Sequence, residues 1–442
     1  MYAVGTSQPD SVTGDRSGEW NAIIRVAFRF SVAYFGLYVL CTQMLGSLVL
    51  LPGPDLPELG SLTPLRQVIA WTATRVFGVR QALVITGSGS GDKTFDWVEV
   101  FLLLVLAVIA TTAWTALDGK RRHYAAGQKW FRLFLRFALG STILQYAIDK
   151  VVPLQMAAPS LARLVEPFGN FSLMGVVWAS VGASRPYEMF TGFAEFVAAI
   201  LLFVPGQTIL GALILLVDAI YIFALNMTYD VPVKLFSFHL MVMSLVLLAP
   251  DASRLMNVLV LNRPAGPSTE PPLVRGRRGL RALVALQLVF GAYAVALNSY
   301  AAWTHWYEYG GGAPRSPLYG LWNVEELSID GQVRSPLITD YGRWRRAIFQ
   351  SPNAMTFQRM DDTFAGFIAG FDTNIQTLTL RKQPDKSLAG TLAIHRANTE
   401  ELVLDGDMDG RKVRMRLRRI DRASFLLVSR GFHWVQEYPF NR

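Results

Sequence analysis

Residues 187–250 read YEMFTGFAEFVAAILLFVPGQTILGALILLVDAIYIFALNMTYDVPVKLFSFHLMVMSLVLLAP, and this stretch decides the fold. It contains three apolar runs, each close to the ~20 residues that a helix needs to cross a bilayer. Only Pro205-Gly206-Gln207 separates the first two runs, so their helices must form an antiparallel hairpin. A polar loop at 226–232 precedes the third run, and its proline can open a helix. The rest of the chain is expected to surround this hairpin.

Two carboxylates lie on the two helices of the hairpin. Glu195 precedes Gly206 by eleven residues and Asp218 follows it by twelve. At a rise of about 1.5 Å per residue, both carboxylates lie near mid-membrane. His239 enters from the third helix, a few residues closer to the outer side. Ionisable groups at such depth are costly and usually face a bundle interior or a wet cavity, so we expect these side chains to point inward.

The composition indicates a membrane protein with a sizeable soluble part. Of the 442 residues, 52% are hydrophobic and 17% are charged, whereas a soluble domain is about a quarter charged. The net charge of +9 falls largely in loops that flank apolar runs, which favours a role in topology over nucleic-acid binding. The single cysteine, Cys41, excludes an intramolecular thiol relay. Residues 1–20 are polar and are expected to form a disordered tail without a cleavable signal peptide.

Seven membrane spans are predicted in all. The basic loops at 118–129 and 251–279 are predicted to be cytoplasmic, because positively charged loops are retained on that side. Both loops fall on one side if the N-terminus is cytoplasmic, and seven crossings then place the C-terminal residues outside. We expect a multi-pass protein of the bacterial inner membrane. The spans beyond the opening stretch are predicted at 23–51, 97–117, 130–152 and 281–303.

Residues 310–442 change to a β pattern. The run VRMRLR at 413–418 alternates apolar and polar residues, which is typical of a strand with one buried face. Nine or ten such segments joined by short turns predict an antiparallel meander that closes into a barrel. The fold class is therefore an α-helical polytopic bundle at 21–303 followed by a β-barrel domain at 310–442. Besides 413–418, the predicted strands are 319–327, 344–349, 355–360, 364–371, 375–381, 392–396, 401–404, 425–430 and 432–436.

The meander opens with Gly320-Leu321-Trp322. This tripeptide resembles the Gly-x-Trp motif of lipocalins and related calycin barrels. In those folds the tryptophan packs under the closed end of the barrel, so the resemblance implies that Trp322 is buried there. The alternative is an ordinary strand tryptophan in any small β core.

Three motifs occur together in the membrane half. They are Arg136-x-x-x-Gly140 leading to Tyr146 and Lys150, Gly192-x-x-Glu195 before an apolar run, and the loop from Asn226 to Lys234. Over residues 132–248 they resemble the DoxX-like family of small polytopic membrane proteins. That family includes subunits linked to quinone-coupled oxidation of sulfur compounds, so the resemblance implies a quinone and a partner redox subunit. The single cysteine argues against the thiol chemistry of some relatives.

Two groups of polar residues are candidate sites. Arg136 needs a carboxylate partner, for which Glu195 or Asp218 is available; the set forms either a buried ion pair or a site that handles protons or anions. His239 has no second histidine or cysteine at ligand spacing, so no metal site is predicted. A second group at the predicted outer helix ends forms either a polar vestibule that binds ligand or ordinary interfacial snorkelling. Its members are Lys150, Glu188, Asn226, Tyr229, Asp230 and Lys234.

Three functions remain open from the sequence. In the first, the bundle holds a quinone or a similar carrier, and Glu195, Asp218 and His239 move protons. In the second, bundle and barrel together bind or pass a small amphipathic ligand without catalysis. In the third, the protein is purely structural. The expected partners are membrane lipid and a small lipid-soluble ligand rather than nucleic acid, and no motif of a conventional enzyme is present.

Overall fold

A computed structural model describes residues 20–53, 56–267, 273–274 and 276–441. The tail predicted at 1–20 therefore lies almost wholly outside the described residues. The helices are α1 (Ala22–Cys41), α2 (Met44–Leu48), α3 (Leu65–Arg75), α4 (Thr94–Leu117), α5 (Ala125–Val151), α6 (Leu173–Gly182), α7 (Arg185–Phe203), α8 (Thr208–Thr228), α9 (Lys234–Leu248), α10 (Ala252–Leu259), α11 (Arg277–Glu308) and α12 (Leu426–Ser429). The strands are β1 (Gly320–Ile329), β2 (Gln332–Val333), β3 (Trp344–Phe349), β4 (Ala354–Arg359), β5 (Phe364–Asp372), β6 (Thr377–Lys382), β7 (Leu388–Arg396), β8 (Glu401–Met408) and β9 (Arg411–Ile420).

The chain divides into two compact units. Within the described residues, the bundle unit contains the chain up to residue 145 together with 195–227 and 232–297. The barrel unit contains residues 146–194, 228–231 and 298–441. The last residues of α5 and of α11 and the first residues of α7 thus belong to the barrel unit. The larger parts of α5 and α11, and the whole of α1 and α4, belong to the bundle unit.

Among the described residues, six helical segments are long and apolar enough to cross a membrane. They are α1, α4, α7, α8, the run Lys234–Leu259 formed by α9 and α10, and α11. The remaining predicted span is α5, whose 27 residues extend about 40 Å but include several charged side chains. The predicted fold class, a polytopic helical bundle followed by a β-barrel, is confirmed.

The bundle unit encloses α5 rather than the α7–α8 hairpin that the sequence placed at its centre. Residues 138–144 of α5 are all buried. The Phe137 ring lies 5.4 Å from that of Phe203 on α7 and 5.1 Å from that of Phe290 on α11. Hydropathy alone ranks α5 lowest among the predicted spans because of its arginines and lysines. Arg132, Arg136 and Lys150 of α5 are nevertheless buried. Arg132 and Arg136 bind oxygen atoms of Asp251 and Leu202, which lie in other elements.

The antiparallel hairpin itself is confirmed. The turn between α7 and α8 contains Gly206 at φ +85°, a conformation that side chains other than glycine rarely adopt. Past the turn the helices approach closely at Gly211. A Cβ atom added there would lie 3.1 Å from the carbonyl oxygen of Ala198. The small residue therefore allows the two helices to pack backbone against backbone.

The barrel is a closed ring of β1 and β3–β9 in chain order. Every neighbouring pair is antiparallel, and β9 pairs with β1 to close the ring, while β2 only extends β1 as a short hairpin. The predicted strands at 425–430 and 432–436 are wrong: α12 and irregular chain occupy those positions. Once β9 has paired with β1, no strand edge remains for a further strand to join.

Side chains fill the barrel interior. Trp322 is 0% exposed, as predicted, and its Nε1 donates a hydrogen bond to the carbonyl oxygen of Leu318 at 2.9 Å. Phe349 and Phe357 are equally buried in the same cluster. The ring of eight strands is therefore closed around a packed apolar core.

A segment between α5 and α6 covers part of the outer barrel face. Leu161 packs against Leu321 and Ile348, and its backbone N–H donates to Gln350 Oε1 at 2.9 Å. Gln358 Nε2 donates to the carbonyl oxygen of Val165 at 3.0 Å. The segment between α5 and α6 is therefore part of the barrel unit by packing as well as by its place in the chain.

Candidate functional site

Arg136 is buried on α5 and binds the carboxyl-terminal end of α7. Its Nε and Nη2 donate to the carbonyl oxygen of Leu202 at 3.0 and 2.8 Å, one residue before α7 ends. The last carbonyl groups of a helix lack intrahelical donors and carry partial negative charge, so a guanidinium there is favourable. These hydrogen bonds therefore hold the end of α7, next to the hairpin turn, against α5.

The hairpin carboxylates differ in burial. Glu195 is 1% exposed, whereas Asp218 is half-buried. Both belong to the bundle unit, and both take part in polar or charged interactions with their surroundings. The equal depth predicted for them agrees with the bounds of α7 and α8, which flank the turn nearly symmetrically.

His239 is placed between tyrosines of α1. Its Nδ1 lies 2.7 Å from the carbonyl oxygen of Leu235, and because a carbonyl only accepts, Nδ1 carries the proton. Nε2 therefore accepts the hydroxyl of Tyr34 at 2.6 Å. The imidazole also stacks on Tyr38 at 4.0 Å. These contacts join α9 to α1 and occupy both ring nitrogens.

Arg132, one turn before Arg136 on α5, is a buried arginine with a carboxylate partner. Its Nη2 lies 2.6 Å from Asp251 Oδ2, and both side chains are 7% exposed. Arg254 lies 2.7 Å from the other oxygen of the same carboxylate. Asp251 ends the short 3-10 helix after α9. In the sequence, Asp251 falls in a basic loop, and no local signal identifies it as a partner of α5.

Among the predicted vestibule residues, Asn226 and Lys234 organise the start of α9. Asn226 Nδ2 donates to Ser237 Oγ at 3.0 Å. The N–H groups of Lys234 and Leu235 donate to the carboxylate of Asp92 at 2.9 and 2.8 Å. Asp92 ends the glycine- and serine-rich loop at 87–92, far from α9 in sequence. Its hydrogen bonds to the first N–H groups of α9 fix that loop against the start of the helix.

The remaining vestibule residues belong to the barrel unit. Glu188 is fully buried, and its Oε1 accepts the N–H of Met156 at 2.8 Å. Lys150 is buried as well and interacts electrostatically with Glu188. Tyr229 is exposed, and Asp230 follows it with φ +52° in the turn before α9. The structure thus brings Lys150 and Glu188 together.

A second group of carboxylates was missed in the sequence. Glu99 is buried on α4, directly beneath Gly60 of the 3-10 turn Leu59–Ser61. Asp96, one turn earlier, pairs with Lys93 at 2.9 Å. Burial raises the pKa of the nearby Glu58 carboxyl, Lys93 opposes that rise and Asp96 adds to it. Asp96 and Glu99 in the first turns of α4 were the sequence signal for this group, because an apolar span rarely begins with two acidic residues.

A buried polar network lies where α1, α4 and α5 meet. Arg29 on α1 is almost inaccessible and donates Nε and Nη2 to the hydroxyl of Tyr124 at 3.0 and 2.6 Å. Arg29 also donates to Thr115 Oγ1 and to the carbonyl oxygen of Asp118, both at 2.9 Å. The Tyr124 hydroxyl in turn donates to Asp118 Oδ2 at 2.8 Å. The network fixes the Tyr124 ring against the helices.

An aromatic groove of about 520 Å³ opens next to this network. Four segments supply the walls of this aromatic groove: α1, the end of α4, the α4–α5 loop and the start of α5. The Arg121 guanidinium lies 5.2 Å from the Tyr124 ring centre, and the Tyr124 ring stacks on Phe28 at 5.4 Å. Arg121 is therefore near the Phe28 end of the groove, and Gly36 lies about two turns further along α1. The complete lining is Phe28, Val32, Gly36, Trp114, Arg121, Tyr124, Gly127, Trp130, Phe131 and Phe134.

The size and lining of the aromatic groove suit a small amphipathic molecule. Small-molecule sites usually have volumes of about 300–1,000 Å³ and apolar walls with a few polar groups. Along α1 the groove runs from Phe28 to Gly36, about 12 Å at 1.5 Å per residue. An apolar body can therefore pack on the rings while a negative or dipolar end meets Arg121. The groove was not predicted from the sequence, because its rings come from segments up to about a hundred residues apart.

No protein-family profile matches this chain. No solved structure matches it either. Membership of the DoxX-like or calycin families therefore stays a prediction.

One curated protein is clearly similar. The uncharacterized protein YwoB of Bacillus subtilis (strain 168) is 34% identical over 128 residues. That alignment covers 29% of this chain and 79% of YwoB. The chain therefore belongs to the family of the uncharacterized protein YwoB.

Proposed function

We propose that this protein is a multi-pass membrane protein whose bundle unit binds a lipid-soluble amphipathic molecule in the aromatic groove. One observation carries the proposal: six aromatic rings converge on a groove of about 520 Å³ that ends at the guanidinium of Arg121. The buried Arg29 behind Tyr124 adds a second positive charge near that end. Quinones, isoprenoids and fatty acids all combine an apolar body with a polar head, and these three classes are the candidates.

The ligand is assigned to the bundle alone. A barrel that carries a ligand needs an open interior, whereas this eight-stranded ring is filled by residues such as Trp322, Phe349 and Phe357. If the bound molecule is a quinone, the redox function predicted from the sequence follows for the same groove.

The ligand can be tested by filling the groove. A Cβ atom added at Gly36 meets nothing within 4 Å, so a larger side chain at that position can enter the groove without disturbing the backbone. We expect Gly36→Phe to reduce copurified lipid-soluble compound by about tenfold, equivalent to about 1.4 kcal/mol of binding free energy. The measurement is mass spectrometry of extracts from protein purified in mild detergent.

The matched control adds the same ring outside the groove. Ile109 is exposed on α4, and Ile109→Phe should leave the copurified compound unchanged. Arg121→Gln keeps the groove open and should weaken a ligand with an anionic head more than one with a neutral head. Equal amounts of compound in Gly36→Phe and wild type would refute binding in the groove.

For topology, we propose that α5 is the seventh span, that the N-terminus is cytoplasmic and that the barrel lies outside the inner membrane. Basic residues support this arrangement, since Arg121 and Arg254 both lie at helix ends predicted to face the cytoplasm. Single cysteines at Gly266 and Ser387, in a Cys41→Ser background, should differ in labelling by an impermeant maleimide. Labelling of Ser387→Cys alone in cells with a permeabilised outer membrane is expected, and equal labelling of both would contradict the topology.

A further inference from the structure

The C-terminal segment, residues 425–441, exposes large apolar side chains that the barrel does not use. Trp434 is 91% exposed, and Phe432, Val435 and Tyr438 are also largely exposed. On α12, Leu426 and Leu427 are more than half exposed as well. Single exposed apolar residues are ordinary, but a contiguous set of this size marks an interaction surface.

The segment has a defined conformation in which these side chains point outward. The guanidinium of Arg430 lies 4.0 Å from the ring centre of Phe440 and donates to Gln436 Oε1 at 2.8 Å. These contacts fold the chain back on itself around Arg430. Phe432 and Trp434 pack edge to face at 5.0 Å, so their rings form one patch.

The segment begins at a part of the barrel that is tied to the helices. Phe425 and Ile420 pack into the cluster formed by Leu161, Leu321 and Ile348. Leu161 follows the end of α5 by ten residues, and ten extended residues span at most about 35 Å. On the other connection, α11 ends twelve residues before β1 begins. The C-terminal segment therefore starts at a part of the barrel that is connected to the ends of α5 and α11 by only ten to twelve residues.

The same unit carries a second exposed aromatic set at the end of α11. Trp303, Tyr307 and Tyr309 are all exposed there, where a spanning helix leaves the bilayer. Tryptophan and tyrosine concentrate at the membrane–water interface because their rings are apolar and their N–H or O–H groups need water. The C-terminal segment has the same side chains, with Arg430 and His433 among them.

From this composition and tethering we infer that residues 425–441 bind the phospholipid interface of the membrane that the helices span. The partner is the headgroup and upper acyl region of the bilayer, into which Trp434, Tyr438 and α12 insert their apolar side chains. Tethering raises the effective concentration of that surface, so contacts that are weak individually suffice to hold the segment there. This inference does not depend on what the aromatic groove binds.

The test uses the full-length chain with Cys41→Ser, reconstituted into vesicles of phosphatidylcholine and phosphatidylglycerol. Glu437→Cys carries an environment-sensitive fluorophore inside the segment and leaves every aromatic residue in place. Lipids with a nitroxide close to the headgroup should quench it severalfold more strongly than they quench a label at Ser387→Cys. Aqueous iodide should show the reverse preference. Ser387 lies in the β6–β7 turn, at the barrel end opposite to the one where β9 finishes.

A second comparison tests the side chains themselves. Trp434→Ser with Tyr438→Ser should move the Glu437→Cys label towards iodide accessibility, whereas Val333→Ser, an exposed apolar residue on β2, should not. Iodide quenching of Glu437→Cys equal to that of Ser387→Cys would overturn the inference. Protection from both quenchers would also overturn it, because that result indicates contact with a second copy or another protein.

Discussion

Single residues in the bundle unit show how charges are accommodated among apolar helices. Arg132, Arg136 and Arg29 are all buried, and each binds oxygen atoms supplied by another element. For Arg136 that oxygen is a backbone carbonyl, for Arg29 a hydroxyl and a carbonyl, and for Arg132 a carboxylate. Burying a charge is tolerable only with such partners, so these arginines define which helices must be neighbours.

The Arg132–Asp251 pair gives a direct stability prediction. We expect Asp251→Asn to lower the free energy of unfolding by about 3–5 kcal/mol, because it removes the carboxylate charge that binds both Arg132 and Arg254. Arg132→Gln should cost less, because Arg254 still lies beside Asp251. Arg163→Gln removes an exposed pair with Glu166 and should cost less than about 1 kcal/mol. Denaturation of the purified protein in detergent measures the difference. Similar losses in all three variants would show that the buried pair is not special.

A pH dependence is expected from a residue pair in the barrel. The Arg334 guanidinium, bound to both oxygens of Asp340 at 2.7 Å, holds the pKa of that carboxyl below its usual value. A lowered folded-state pKa stabilises the fold above about pH 4, and this contribution is lost as the pH falls through the folded value. Asp340→Asn should therefore flatten the acid limb of a pH–stability profile. Asp385→Asn, in the β6–β7 turn, is the control, and an unchanged acid limb in Asp340→Asn would refute the assignment.

At the scale of elements, helix crossings depend on glycines at close approach. At Gly192 on α7, an added Cβ would lie 2.6 Å from Lys150 Cβ and 2.8 Å from the carbonyl oxygen of Ala147 on α5. Helices α5 and α7 can therefore pack this closely only if residue 192 has no side chain. The Gly-x-x-Glu motif of the sequence analysis thus has a packing role at its glycine.

Two glycine substitutions should consequently have opposite effects. Gly192→Ala is expected to destabilise the protein by about 1–3 kcal/mol, because the α5 backbone must move. Gly36→Ala lies in an equally helical position with open space around it and should be neutral or stabilising by up to about 1 kcal/mol. Thermal denaturation of both variants in the same detergent provides the comparison. Destabilisation by Gly36→Ala alone would contradict the crossing geometry.

At the scale of the whole molecule, the barrel unit is more than the β-domain predicted at 310–442. Its outer face is partly covered by the segment around Leu161, which comes from between two helices. Residues that look like exterior barrel positions, Leu321 and Ile348, are buried for that reason. The segment around Leu161, about 150 residues before the barrel in sequence, thus covers this apolar part of the barrel's outer face.

This arrangement predicts the behaviour of the isolated barrel. Expressed from about Ala313, it should give a β-type circular dichroism spectrum and a cooperative melt, because its ring and core are complete. It should also bind a hydrophobic dye at the uncovered Leu321 and Ile348. Replacing both by serine should abolish that binding without changing the spectrum, whereas serine at the exposed Ile375 should not. An isolated domain that binds no dye would show that the covering segment is dispensable.

Several features of this protein were predictable from local pattern. Apolar run length predicted the spans, the three residues around Gly206 required a hairpin, and strict alternation at 413–418 predicted a strand. Each of these signals lies within one element, and backbone hydrogen bonding together with side-chain periodicity is enough to read it. The burial of Trp322 also followed from its place at the first strand of a closed meander.

Other features depended on contacts between distant segments. Apolar alternation continued past β9, but the ring closed when β9 paired with β1, so the last predicted strands had no edge to join. The α7–α8 hairpin was expected at the centre of the bundle, yet packing encloses α5, whose arginines bind Asp251 and the Leu202 carbonyl. The aromatic groove exists only where Phe28, Trp114 and Phe131 converge. A sequence specifies which face of each helix is aromatic, whereas the neighbour of that face is chosen by packing of the whole chain.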